Sequence, residues 1–294
     1  MTEFTNISSR AVLVRFVATT WAARKLDKKA TKTANDAHDA TAKAGRYNKH
    51  LLGDAEAHAD LVNTIGNART VFYKHSLPWG DDNWRLLPTA NFMEFADAIR
   101  DAQSKIETSL NDFITRYPSL RELARVQLGD LYDENEYPSA SEVRSKFTWK
   151  IEYNPVPTEG DLRLDLPADT LAQVEQAVTS RVEAAAKVAL DDAWGQLREA
   201  VGRIQKAART TPEGGRAGTI RENLIENLNE VTDRLARLNV AQDENLVDAL
   251  ARAKRELGTI AVEDLRSDAR LRSDTERRAE EILAALSGLY APAA

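Results

Sequence analysis

Residues 190–208 read LDDAWGQLREAVGRIQKAA, and the spacing of their apolar side chains decides the fold class. Leu190, Trp194, Leu197, Val201, Ile204 and Ala208 follow one another at intervals of 4, 3, 4, 3 and 4. Such spacing is a heptad seam, a single apolar stripe along a helix. Working outward, Pro167, Ala168 and Asp169 look like a helix start, and the helical run continues to about Arg209. The helix predicted here is roughly 40 residues and so on the order of 60 Å long. TTPEGGRAG (210–218) then reads as a flexible turn. Beyond it Ile220, Leu224, Leu228, Val231, Leu235 and Leu238 recur at 4, 4, 3, 4 and 3. Two seams joined by a Gly/Pro turn predict a long antiparallel helical hairpin. DENLVDALARAKREL and SDTERRAEEILAALSGLY extend it into a bundle with one or two further helices.

The first half of the chain reads differently. FTWKIEY (147–153) alternates Phe147, Trp149, Ile151 and Tyr153 with polar residues, the mark of a strand with one wet face. LRLDL (162–166) is the expected return strand of a hairpin, and AVLVRFV (11–17), rich in β-branched residues, is a third strand. A sheet of two or three strands is marginal alone, so it is expected to lie on helices. A helix is expected from near Trp21 through the Ala/Lys-rich segment that follows, and a second from Asp54 to about Tyr73. Phe92, Phe95, Ile99, Ile106, Leu110 and Ile114 predict an amphipathic helix, with Pro118 expected to stop it. The fold class expected is therefore mainly α (α+β): a small antiparallel sheet on helices, followed by a long helical hairpin. The expected division is an α+β domain over 1–166 and a helical domain over 167–294.

Composition narrows the function classes. The chain of 294 residues has no cysteine, which removes disulfides, thiolate metal sites and cysteine nucleophiles, and which fits a reducing cytoplasm. The opening MTEFTNISSR lacks the pattern of a signal peptide, and FVATTWAA is far too short to span a membrane. Net charge is −6, but residues 1–50 hold ten Lys/Arg against four Asp/Glu. An acidic body with a basic head confines any nucleic-acid contact to the head.

In that head, Lys25, Lys28, Lys29 and Lys32 fall at i, i+3, i+4 and i+7, a helical sector of about 100°. Lys43, Arg46 and Lys49 continue the basic character, and the seven together are candidate phosphate contacts. Only Tyr47 stands nearby as an aromatic, so base stacking along a single strand is not indicated. The alternative reading is a solvated helix face. In KHSLPWGDDNWRLLP (74–88), Trp79 and Trp84 could form an aromatic platform beside Asp81 and Asp82. Indoles flanked by Leu77, Leu86 and Leu87 are instead expected to turn inward. His38, His50, His58 and His75 show no metal-ligand spacing, although His58 and His75 are the residues on which a metal-assisted enzyme would have to be built. No phosphate loop, dinucleotide fingerprint or nucleophile elbow is present, so neither a cofactor nor catalytic residues are expected.

ARTVFYKHSLPWGDDNWRLLP, LGDLYDENEYPSASEVRSKF and RENLIENLNEVTDRLARLNV together resemble a group of uncharacterised tailed-bacteriophage proteins with an LPWGDD-type loop. The resemblance covers roughly residues 11–240 and implies a protein of the infected bacterial cytoplasm. It brings no activity and no site residues.

Two functions are expected in turn. The first is a non-enzymatic interaction or assembly protein, a homo-oligomer or a binder of a host or phage protein, using Leu190, Trp194, Leu197, Val201 and Ile204 as a self-association seam. The alternative is a nucleic-acid-binding accessory protein of phage DNA replication or recombination, with the Lys25–Lys49 face on phosphate. Neither involves a membrane.

Overall fold

A computed structural model describes residues 7–52, 55–80, 83–158, 167–209 and 219–289. The chain opens with α1 (Ile7–Arg10), β1 (Ala11–Thr19), β2 (Arg24–Leu26), α2 (Lys28–Asp36) and β3 (Asn48–His50). Next come α3 (Glu56–Lys74), β4 (Leu77–Pro78), β5 (Arg85–Pro88), α4 (Phe92–Leu128), α5 (Ala140–Ser145) and β6 (Thr148–Pro155). The remainder is helical: α6 (Ala168–Ala208), α7 (Leu224–Leu238), α8 (Glu244–Leu257), α9 (Val262–Ser267) and α10 (Ala269–Leu289). The protein is mainly α with small antiparallel sheets, as the periodicities predict. One sheet runs β4-β5-β1-β6 and a second pairs β2 with β3. Among the described residues no helix is long and apolar enough to cross a membrane.

The chain divides into two compact units, and the division does not fall at residue 166. One unit gathers the residues up to Arg15, His75–Phe95 and the residues from Tyr153 onward; the other is Phe16–Lys74 with Ala96–Glu152. Each has its own core.

In the first unit α6 packs against α7, α8 and α10. Leu190, Trp194, Leu197, Val201 and Ile204 are all at most 8% exposed, within the core they share with Leu228, Leu235, Leu250 and Ile282. The seam is thus filled by the chain's own helices. This corrects the expectation that it serves self-association, because a stripe already covered has no apolar area left to bury against a second copy. β4 packs on α6. Its neighbour Trp79 is 4% exposed in the same core, and Trp84 packs against that core with the Arg15 guanidinium 4.8 Å above its ring. The indoles turn inward, as their leucine neighbours suggest. Asp81 and Asp82 lie outside the described residues, as do the expected strand 162–166 and the turn 210–218.

In the second unit Phe113, Tyr117, Leu120 and Ala124 carry one apolar face straight through Pro118, so α4 continues to Leu128 instead of stopping. A proline inside a helix costs one backbone hydrogen bond and a kink. Burial of Tyr117 and Ala124 on either side of it offsets that cost. An aromatic cluster of Trp21, His58, Phe113, Tyr117 and Phe147 fills the space beside α3 and α4.

Candidate functional site

The basic head folds into a small lobe of the second unit, and it is not the single helix its lysine spacing predicts. The chain reaches Ala23 in the left-handed region, with φ of 48°, and enters β2. Asp27 then caps α2, its carboxylate accepting from the Ala30 N–H at 2.8 Å. An aspartate at this position satisfies an otherwise unpaired donor of the first helical turn. After Asp36 the chain loops back. The Asp27 N–H donates to the Tyr47 carbonyl at 2.9 Å, and the Tyr47 N–H donates to the Thr31 hydroxyl at 2.9 Å. That returns the chain as β3, in register with β2 so that Arg24 faces His50, Lys25 faces Lys49 and Leu26 faces Asn48.

Two lysines directly opposite each other repel, and carboxylates resolve the conflict here. Lys49 is 4% exposed. Its ammonium lies 2.7 Å from Glu136 and 3.3 Å from Asp27, and donates to the Leu131 carbonyl at 2.5 Å. Glu136 also reaches Lys25 at 4.0 Å. Burial alone would pull the Lys49 ammonium down, yet the Glu136 and Asp27 carboxylates outweigh it and hold it above the usual lysine range. Asp27 is held below the usual carboxylate range, first by the Ala30 N–H and then by Lys49 against the opposing effect of burial. Glu136 is itself placed by its neighbours. The Tyr137 hydroxyl donates to the Leu51 carbonyl at 2.7 Å, and Tyr132 stacks on Tyr137 with ring centroids 4.9 Å apart. The Arg121 and Arg125 guanidiniums lie over those two rings.

The seven candidate phosphate contacts therefore separate. Lys28, Lys29 and Lys32 stand exposed on α2, Lys43 and Arg46 stand exposed on the returning loop, and Lys25 stands exposed on β2. Lys49 is an internal cation and is removed from the set, because its charge is taken up by carboxylates away from solvent. Among the described residues Lys28, Lys29, Lys32, Lys43 and Arg46 form no ion pair. Between β2 and β3 inclusive the lobe holds eight Lys/Arg and three Asp.

No family model, curated protein or solved structure matches the chain.

Elsewhere the candidate residues have structural partners. His58 Nε2 lies 2.7 Å from the Trp21 carbonyl, within the aromatic cluster. The His75 carbonyl accepts from the Asn91 amide at 2.8 Å. Among the described residues no group of three or more His, Asp or Glu could hold a metal ion. Sequence reasoning did not foresee Glu136 or Asn35. Asn35 is 7% exposed and points its amide at the Gly45 carbonyl, 3.5 Å away. Asn35 owes its place to the loop closure and Glu136 to the turn that follows α4, and neither leaves a local periodic signal.

Proposed function

We propose that this chain is a non-catalytic nucleic-acid-binding protein that holds a phosphate backbone on the α2 lobe. One observation carries the reading: five exposed cations that pair with no carboxylate among the described residues are gathered on one small lobe of a chain whose net charge is −6. Cations that pair with carboxylates of their own chain have little left for phosphate, whereas unpaired ones release counterions from a nucleic acid when they bind it. The acidic remainder repels phosphate and confines contact to the lobe. The buried helical seam gives no support to a self-assembling scaffold.

The test is fluorescence anisotropy with a short labelled oligonucleotide across a salt series. Binding weakens steeply with salt, and replacing Lys28, Lys29, Lys32 and Arg46 together by Ala shallows the slope by about one unit per cation. Wild-type affinity in that quadruple variant would rule out the lobe as the interface.

A further inference from the structure

The basic lobe holds a cavity of ≈ 420 Å³ that Lys28, Lys32 and Arg46 line together with Leu26, Asp36 and Ala42. Lys28 and Lys32 stand one helical turn apart on the same face of α2. Arg46 comes to the cavity from the returning loop. The chain reverses after α2 through Asp39, at φ of 47°, and the Ala40 N–H donates to the Asn35 carbonyl at 2.9 Å. Cations from two separate elements are thereby gathered around one recess.

One side of the recess is shut. There α2 is drawn against the returning loop along a ridge. The Thr31 hydroxyl accepts from the Tyr47 N–H at 2.9 Å and donates to the Asp27 carbonyl at 2.6 Å. Further along, the Asn35 amide points at the Gly45 carbonyl, 3.5 Å away, and a Cβ on Gly45 would stand 3.0 Å from Asn35 Oδ1. So close an approach leaves no passage from the basic cavity to the smaller one beyond the ridge, beside Ala34 and His38. The basic cavity is blind on that side.

Resting on the nucleic-acid reading above, we propose that this blind cavity holds the terminal phosphate of a nucleic-acid strand, so that the lobe favours phosphorylated ends. An interior phosphate has strand leaving it in two directions, which an open surface accommodates and a blind recess does not. A strand end needs only one way in. The charge agrees. A phosphate monoester carries about −1.5 to −2 at neutral pH and three strong acceptor oxygens, whereas an interior phosphodiester carries a single charge. Three cations against the one carboxylate of Asp36 suit the more highly charged group. Arg46 offers a planar fork for two phosphate oxygens, and the two ammonium groups act beside it as point charges. Leu26 and Ala42 form an apolar wall for the sugar that bears the phosphate. Lys29 and Lys43 are exposed but do not line the cavity, and they serve the continuous backbone instead.

Fluorescence anisotropy on the whole chain tests the assignment, with one internally labelled single strand in three forms: 5′-phosphorylated, 3′-phosphorylated and hydroxyl at both ends. At least one phosphorylated form binds about tenfold more tightly than the hydroxyl-ended form, as a charge-assisted hydrogen bond gives. Which form it is defines the polarity of the bound end. Arg46→Lys keeps the charge but loses the fork, and Ala42→Phe, at an exposed position, fills the cavity without altering charge. Each lowers the phosphorylated form to the affinity of the hydroxyl-ended one, whose own affinity and salt slope stay as in the wild type. Lys29→Ala combined with Lys43→Ala weakens all three forms alike. Equal affinity for the three forms, or a preference that survives either Arg46→Lys or Ala42→Phe, overturns the end site while the salt-dependent surface stands. Inorganic phosphate at the oligonucleotide's own concentration leaves the phosphorylated strand bound; displacement there overturns the assignment in favour of a free anion. Loss of the surface reading shows separately, as unchanged affinity for the hydroxyl-ended strand in the quadruple-alanine chain.

Discussion

The Lys49 ammonium lies 2.7 Å from the Glu136 carboxylate, which joins the returning strand of the basic lobe to the segment that follows α4. Asp27, the cap of α2, shares the same cation at 3.3 Å. The lobe is therefore fastened through one buried charge, and the cations left outside are those available to a ligand.

Lys49→Met removes the cation and leaves two carboxylates facing each other. Breaking a buried ion pair from one side costs about 3–5 kcal/mol. Chemical denaturation is expected to show a loss of that order in the transition of the second unit. A loss of a few tenths of a kcal/mol instead would mean that water already screens the cluster.

The cluster also sets a pH window. The lowered Asp27 contributes stability above the ordinary carboxylate range and loses it as pH falls through its depressed value. The raised Lys49 contributes stability below the ordinary lysine range and loses it as pH rises through its elevated value. Burial pushes Tyr137 up to about 12, and its contribution likewise fades as pH climbs through that value. The second unit should show a broad plateau through neutrality, with one acid limb and one alkaline limb. Thermal unfolding from acid to alkali checks this, and Lys49→Met should flatten the lysine part of the alkaline limb while the tyrosine part remains.

Leu197 is fully buried against the chain's own helices. Leu197→Ala is expected to cost about 2–5 kcal/mol through lost transfer energy and a residual cavity. It should leave the sedimentation mass of the folded protein as in the wild type. A variant that dissociates into lighter species would show that the seam is shared between copies.

Gly258 ends α8, and its carbonyl accepts from the Asn229 side chain of α7 at 2.8 Å. A Cβ on Gly258 would overlap Asn229 Oδ1 and stand 2.6 Å from the Lys254 carbonyl. Gly258→Ala should therefore destabilise the first unit by about 1–3 kcal/mol, as overpacking does. Pairing it with Asn229→Ala should recover part of that loss, and a denaturation series on both variants measures the recovery.

How legible was all this beforehand? The heptad spacing from Leu190 to Ala208 placed α6 within a residue of its observed end, and the alternation in FTWKIEY located β6. The leucines around Trp79 pointed it inward. The lysine spacing from Lys25 to Lys32 misled, because an i, i+3, i+4, i+7 pattern of polar residues buries nothing and so enforces no helix. Asp27 capping α2 and the left-handed Ala23 broke that run. Pro118 misled in the opposite sense, since the apolar face continuing past it outweighed the missing N–H. Of the seven basic candidates, only Lys49 left the exposed set. Nothing local in Asn48–His50 distinguishes Lys49 from its neighbours.

By itself the sequence determined the long amphipathic helices, a strand over 147–153 and the concentration of positive charge in the first fifty residues. Each of these is written in the spacing or count of neighbouring side chains, where local geometry alone sets which residues share a face. Only tertiary structure decided which apolar stripes cover one another, that two units interleave along the chain, and that Lys49 turns inward while Lys28, Lys32 and Arg46 frame a cavity. Those outcomes depend on contacts between residues far apart in the chain. They are settled by competition among whole packings, where burial of apolar area and neutralisation of buried charge are compared at once.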